Sequence, residues 1–174
     1  MEEIAMSMSL NDIDKIVRAC LIAYIRGPAE DKTLSYEALA QLGDPHGDLG
    51  LYHGGGSDRY TALSKALFHI SSYEVEQGRP MLSALVVHKG GQYRGLPGPG
   101  FFKLARRLRF TIADSDAAEQ DFWAAQVQAA VEHWTEHEEA EEADAKHAAI
   151  MKELATIKRM LRLLVHSESA VPGT

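Results

Sequence analysis

Four side chains that can bind a divalent metal lie within ten residues of one another in a glycine-rich segment. They are Asp44, His46, Asp48 and His53. Carboxylate oxygens and imidazole nitrogens are common ligands of zinc and manganese in proteins. The segment therefore predicts, as one alternative, a metal-dependent phosphoester hydrolase. The other interpretation is a polar surface loop, because Asp, Gly and His are frequent in loops.

A second candidate site is a basic cluster that begins in the glycine-rich segment 90–100 and continues into a predicted helix. Its residues are Arg94, Lys103, Arg106, Arg107 and Arg109. Backbone N–H groups at a glycine-rich helix start, together with arginines, can bind phosphate or another anion. The sequence GLPGPG at 95–100 matches neither the P-loop nor the dinucleotide pattern. The alternative is a tight turn before a helix with a basic surface.

The sequence offers little for nucleophilic catalysis. Ser83 lies inside an apolar run without the GxSxG pattern, and Cys20 lies on the apolar face of a predicted helix. His133 and His137 are four residues apart, but Trp134 stands where a zinc protease has glutamate. We therefore predict no catalytic residue and no cofactor.

The elements that would position these residues are mainly helices. Apolar residues repeat with helical spacing over 10–26 and 58–77, and shorter helices are predicted over 36–42 and 99–108. Asn11 or Ser9 can cap the first helix, and Asp114 or Ser115 can cap a long last helix. The apolar run 81–87 predicts one buried strand. The fold class expected is mainly α, within the α+β group, with one or few short strands.

Charge divides the chain into two predicted parts. Residues 1–112 have 13 Lys and Arg against 12 Asp and Glu, a balance of +1. Residues 113–174 have 5 against 13, a balance of −8. We expect a globular body over 1–112 and a C-terminal helical arm over 113–174. Charge alone does not predict general nucleic-acid binding, since phosphate contact needs a concentrated basic face.

The arm contains a heptad pattern over 140–164. Its positions a and d, spaced alternately by three and four residues, are Ala140, Ala143, His147, Ile150, Leu154, Ile157, Leu161 and Leu164. Such a seam is typical of a coiled coil, so we expect a homo-oligomer or docking on a larger protein complex. The alternative is a helix folded back on its own domain. Upstream, a wider stripe suits packing on the body, and it comprises Phe122, Trp123, Val127, Val131 and Trp134.

Four segments of the body follow a recognisable order: TLSYEALA (33–40), LGDP (42–45), ALSKAL (62–67) and RPMLSALVV (79–87). Together they resemble the DNA-binding domain of the O6-alkylguanine alkyltransferases and their alkyltransferase-like relatives. The resemblance implies a winged-helix-like body. Met81-Leu82-Ser83 stand in the region of that family's reactive cysteine and histidine, so it does not imply alkyl transfer. The segments 79–87 and 95–102 also resemble proteins of bacteria and mobile elements.

No apolar run in the chain approaches the ~18–20 residues that span a bilayer. The single cysteine, Cys20, excludes an internal disulfide. These features favour a cytoplasmic protein without a membrane partner. The function expected is a non-enzymatic accessory or regulatory protein that binds an anionic partner, either nucleic acid or a nucleotide. The metal-dependent hydrolase is the alternative.

Overall fold

The computed structural model of the chain describes residues 9–53 and 59–137. This part of the chain is mainly helical, as predicted. In chain order the elements are α1 (Asp12–Arg26), β1 (Leu34–Ser35), α2 (Tyr36–Gly43), α3 (Thr61–Glu76), a 3-10 helix (Leu82–Leu85), β2 (Val86–Val87), α4 (Pro99–Arg107) and α5 (residues 116–137). The strands β1 and β2 pair in parallel, with Leu34 opposite Val86.

Local capping explains where three helices begin. The Asn11 side chain accepts the Asp14 N–H, and the Asp14 carboxylate accepts the Asn11 N–H, which forms a complete capping box for α1. Ser35 caps α2 by accepting the Ala38 N–H. Ser115 accepts the Ala118 N–H at the start of α5. Of the predicted cap alternatives, Asn11 and Ser115 are the residues that the structure selects.

Residues 81–87 are buried, as predicted, but the prediction of a strand is wrong for residues 82–85, which form a 3-10 helix. Their backbone groups bond to side chains instead of a neighbouring strand. The Ser83 N–H donates to Ser71 Oγ at 3.0 Å, and the Ala84 carbonyl accepts from Trp123 Nε1 at 2.8 Å. A buried backbone needs partners of some kind, and here α3 and α5 supply them.

The core consists of two apolar clusters. The larger joins α1, α2 and α3, where Val17, Leu21, Leu39 and Leu63 are fully buried, and includes Trp134 of α5. The smaller surrounds α4 and comprises Met81, Ala84, Phe101, Phe102, Leu104 and Ala105. Burying an aliphatic side chain of this size contributes about 1.5–3 kcal/mol. The two clusters therefore hold the helices that line the site described below.

The helix α5 packs on the body through the stripe predicted for it. Val127, Val131 and Trp134 contact the larger cluster, while Phe122 and Trp123 contact the smaller one. These residues belong to a compact unit that ends at Thr135.

The predicted heptad positions over 140–164 lie outside the residues that the structure describes. Among the helices of residues 9–53 and 59–137, none has the length and apolar character needed to cross a membrane.

Candidate functional site

A cleft of about 800 Å³ opens between the start of α2, the first half of α3, the end of β2 and the start of α4. A volume of this size suits a small-molecule ligand, since ligand pockets are typically about 300–1,000 Å³. Its lining residues are Ser35, Tyr36, Glu37, Arg59, Tyr60, Thr61, Ser64, Lys65, Phe68, His69, Val87, His88, Lys89, Gly98, Pro99 and Gly100.

One face of α3 forms the longest wall of the cleft. Thr61, Ser64, Lys65, Phe68 and His69 are spaced by three, one, three and one residues, so they lie on the same side of the helix. The opposite side of α3 carries the residues buried in the core. The helix therefore has an apolar core face and a second face of cationic, polar and aromatic groups.

Positive charge outweighs negative charge in the cleft. Three cationic side chains, Arg59, Lys65 and Lys89, line it together with one carboxylate, Glu37. The ammonium of Lys89 lies 3.3 Å from the Glu37 carboxylate, and both side chains are largely exposed. Such an exposed ion pair contributes little to stability. The net charge at this surface favours an anionic ligand.

A buried carboxylate positions one of the cleft histidines. Asp14 is 2% exposed, and its Oδ2 lies 3.2 Å from Nδ1 of His69. The His69 side chain is 42% exposed and belongs to the cleft wall. Because Nδ1 faces Asp14, Nε2 is the ring nitrogen left for a ligand.

The glycine-rich loop after β2 folds back on His88 and fixes its position. The His88 N–H donates to the Leu96 carbonyl at 3.0 Å, and the His88 carbonyl accepts the Gly95 N–H at 2.8 Å. Gly98 then passes the imidazole closely: a Cβ at this position would lie 2.7 Å from His88 Nε2. A side chain at Gly98 would therefore have to displace the imidazole.

The cleft also contains aromatic surface. The rings of Tyr36 and Tyr60 lie 5.6 Å apart, and Tyr36 lies 5.3 Å from the ring of His88. Burial raises the pKa of the Tyr36 hydroxyl. The pKa of Tyr60 is also raised, by burial and then by the negative charge of Glu37. Both phenols are therefore protonated at neutral pH and able to donate hydrogen bonds.

A smaller cavity of about 220 Å³ adjoins the cleft and shares Tyr36, Ser64 and Phe68 with it. Its remaining walls include the apolar residues Leu67 and Leu104. The two spaces together offer a charged entrance and an apolar interior. This arrangement suits a ligand that combines an anionic group with a ring or other apolar part.

The residues of the predicted basic cluster lie outside the lining of this cleft, although all five are exposed. Arg106 pairs with Glu119 at 2.8 Å, and the Arg107 guanidinium lies 5.5 Å above the ring of Phe68. Arg109 follows α4 with a positive φ of 71°. Arg94 lies in the glycine loop, and Lys103 lies on the exposed side of α4. The glycine loop contributes Gly98 and the start of α4 to the cleft.

The predicted metal ligands are held in a loop whose order comes from backbone hydrogen bonds. The carboxylate of Asp44 accepts the N–H groups of Leu49 and Leu51 at 3.0 and 3.2 Å. His46, Asp48 and His53 are exposed. Over residues 9–53 and 59–137, no group of three or more His, Cys, Asp or Glu side chains is arranged to hold a metal ion.

Sequence reasoning missed most of the cleft. Arg59, Lys65 and His69 belong to α3 or its approach, whereas Tyr36 and Lys89 come from distant parts of the chain. The pairing of Asp14 with His69 spans 55 residues and has no local signal. One signal was available, namely the second face of α3, whose polar and aromatic residues repeat with helical spacing. A helix that packs on a core leaves one face in contact with water. Cationic and aromatic residues on that face indicate a candidate binding surface.

A search for similar proteins found no match to this chain among models of protein families, curated protein sequences or solved structures.

Proposed function

We propose that this chain is a non-enzymatic binding protein whose ligand carries a phosphate and an aromatic ring, as a nucleotide does. The ligand occupies the cleft between α2, α3 and the start of α4. Its phosphate contacts the cationic side chains, and its ring packs on the tyrosines and in the adjoining apolar cavity. The protein would act as an accessory or regulatory component that holds this ligand for a partner.

The observation that carries the proposal is the combination of three cationic residues with one carboxylate in a cleft of ligand size. Two helix N-termini add to it. The helices α3 and α4 both begin at the cleft, and Tyr60 makes no side-chain cap of α3. At α4 the contribution comes mainly from the helix dipole, because Pro99 has no N–H and the Phe101 N–H donates to the Gly98 carbonyl. The positive end of a helix and its free N–H groups stabilise bound anions.

The proposal also includes a fold type and a mode of assembly. The order of α2, α3, buried segment and glycine loop supports a winged-helix-like body. The heptad pattern over 140–164 supports self-association, or docking on a larger complex, through the C-terminal part of the chain. Both statements are proposals here, and each can fail without affecting the cleft.

Titration calorimetry with dTMP, and separately with inorganic phosphate, tests the binding site. Lys65→Gln removes a cleft cation, and Lys103→Gln makes the same change on α4, outside the cleft lining. We expect Lys65→Gln to weaken dTMP binding about tenfold, the size of a lost charge-assisted hydrogen bond. Lys103→Gln should bind like the wild type. The wild-type affinity should fall as salt is added.

Two results would contradict the proposal. The first is no binding of dTMP or phosphate by the wild-type protein at about 50 mM salt, where electrostatic attraction is strong. The second is an equal loss of dTMP affinity from Lys65→Gln and Lys103→Gln. Such a result would mean that the anion contacts α4, as the basic cluster 94–109 predicts.

A further inference from the structure

Five aromatic rings form a continuous row that passes through the cleft and extends beyond it. Their order is Tyr52, Tyr60, Tyr36, His88 and Tyr93. Successive ring centroids lie 5.5, 5.6, 5.3 and 5.8 Å apart, with neighbouring planes inclined by 38° to 45°. The three middle rings line the cleft, and the two end rings lie outside its lining.

The row lies at the surface. Tyr52 is 49% exposed, and the other four rings are partly exposed. None of the five is among the buried residues of the two core clusters, where Phe101, Phe102 and Trp134 supply aromatic packing. Aromatic residues usually bury most of their large apolar surface, so five neighbouring partly exposed rings are a marked surface feature.

Cationic residues accompany the row. Arg59 and Lys89 stand next in sequence to Tyr60 and His88, and both line the cleft. Arg94 follows Tyr93 at the far end and is exposed. Aromatic faces for stacking and cations for a phosphate backbone therefore run along the same surface.

From this row we infer that the ligand is a single-stranded nucleic acid, of which the cleft holds one nucleotide. The inference rests on the proposed function and names its ligand class. Unpaired bases stack on aromatic side chains regardless of sequence, while Lys and Arg contact the phosphates. The two end rings, Tyr52 and Tyr93, lie outside the cleft lining, so a mononucleotide held in the cleft has no need of them. A longer strand would contact both.

A duplex suits this surface less well than a single strand. Bases in a duplex already stack on one another, so their faces are not available to Tyr52 or Tyr93. Residues 1–112, which contain the row, have a charge balance of only +1, and this does not favour a broad electrostatic contact with duplex phosphates. Stacking, which does not depend on net charge, is the contribution that favours a single strand.

Fluorescence anisotropy with labelled oligo(dT) of about ten nucleotides tests the inference, with dTMP binding measured in parallel by calorimetry. The double variant Tyr52→Leu with Tyr93→Leu removes both end rings, and Tyr52→Phe with Tyr93→Phe keeps them. We expect the leucine pair to weaken oligo(dT) binding at least tenfold, in the range reported for lost base stacking. The phenylalanine pair should bind like the wild type, and dTMP affinity should be the same in all three proteins.

Circular dichroism melts of the three proteins show whether the variants fold, and the phenylalanine pair controls for loss of the hydroxyls. The inference is overturned if wild-type protein binds oligo(dT) no more tightly than dTMP, if it binds the matching duplex equally well, or if the folded leucine pair retains full affinity. In each of these cases dTMP binding in the cleft can still stand. Failure of dTMP and oligo(dT) together would remove both proposals.

Discussion

Arginine and aromatic side chains meet in two regions of this molecule, and only one of them looks like a binding site. In the first, Arg18 and Arg79 both contact the carboxylate of Glu74, and both guanidinium groups lie over the ring of Trp134, at 4.8 and 5.7 Å. Glu74 is completely buried, and Trp134 is 4% exposed. In the second, the cleft, cations and rings are partly or fully exposed and share one carboxylate.

Comparing the two regions shows that the burial of the carboxylate decides whether a cluster of cationic and aromatic side chains stabilises the fold or can bind a ligand. At Glu74 the buried negative charge takes up the hydrogen bonds of two arginines and joins α1 to α3. Among the described residues that line the cleft, one carboxylate, Glu37, pairs with Lys89 on the surface. The first cluster is therefore structural, whereas the second has a net positive charge at an exposed surface.

The largest expected effect is on the free energy of unfolding, and it tests the distinction between the two regions. We expect Glu74→Gln to lower the free energy of unfolding by about 3 kcal/mol, because removing one partner leaves buried charge uncompensated. Glu37→Gln is the matched control, and its cost should stay within about 0.5 kcal/mol because its ion pair is exposed. Urea unfolding followed by circular dichroism measures both. Equal losses from the two substitutions would contradict the distinction between the regions.

A smaller effect, confined to the cleft, comes from a single methyl group. Gly98→Ala places a Cβ against the imidazole of His88 and must displace that ring, whereas a Cβ at Gly90, outside the cleft lining, would meet nothing within 4 Å. We expect Gly98→Ala to weaken dTMP binding about fivefold, equivalent to about 1 kcal/mol, and the control Gly90→Ala to leave it unchanged. Calorimetric titration of both variants decides this. Identical affinities for the two would show that His88 does not contact the ligand.

The smallest expected effect concerns Asp44, whose carboxylate accepts hydrogen bonds from backbone N–H groups. Partial burial of Asp44 acts to raise its pKa, but hydrogen bonds from the backbone of Leu49 and Leu51, with smaller ones from Asp48 and Gly50, outweigh it and lower the pKa below 3.8. The folded state therefore binds this proton less readily than the unfolded state. Asp44 contributes stability above the unfolded pKa, and that contribution is lost as pH falls through the folded pKa.

Asp44→Asn should accordingly be less stable than the wild type at neutral pH, and the difference should shrink as pH falls below the unfolded value of 3.8. Urea midpoints of the two proteins between about pH 7 and pH 3 measure it. A difference that stays constant over this range would contradict the lowered pKa.

The helices were predictable because their signals are local. Asn11 and Ser115 cap helices through residues three positions away, and glycine and proline mark the ends. The conformation of residues 82–85 was not predictable, since an apolar run is compatible with any buried element. What selects the 3-10 helix is the hydroxyl of Ser71 and the indole of Trp123, which bond its backbone from 12 and 39 residues away.

The candidate site was predictable only in part, for the same reason. Glycines and prolines next to a buried run predict a shaped loop, and the glycine loop contributes Gly98 to the cleft. The predicted cationic cluster lies in that loop and on α4, the neighbouring helix in sequence. In the structure the cations of the cleft are Arg59, Lys65 and Lys89. Packing of α3 against the loop brings them there, and no spacing in the sequence encodes that packing.

The position of the two tryptophans gives the molecule a separate optical signal for folding. Trp123 and Trp134 are the only two in the chain, both belong to α5, and neither lines the cleft. The indole of Trp123 bonds to the carbonyl of Ala84, and two guanidinium groups lie over the indole of Trp134. Selective excitation of indole emission therefore reports whether α5 is seated on the body, separately from what happens in the cleft.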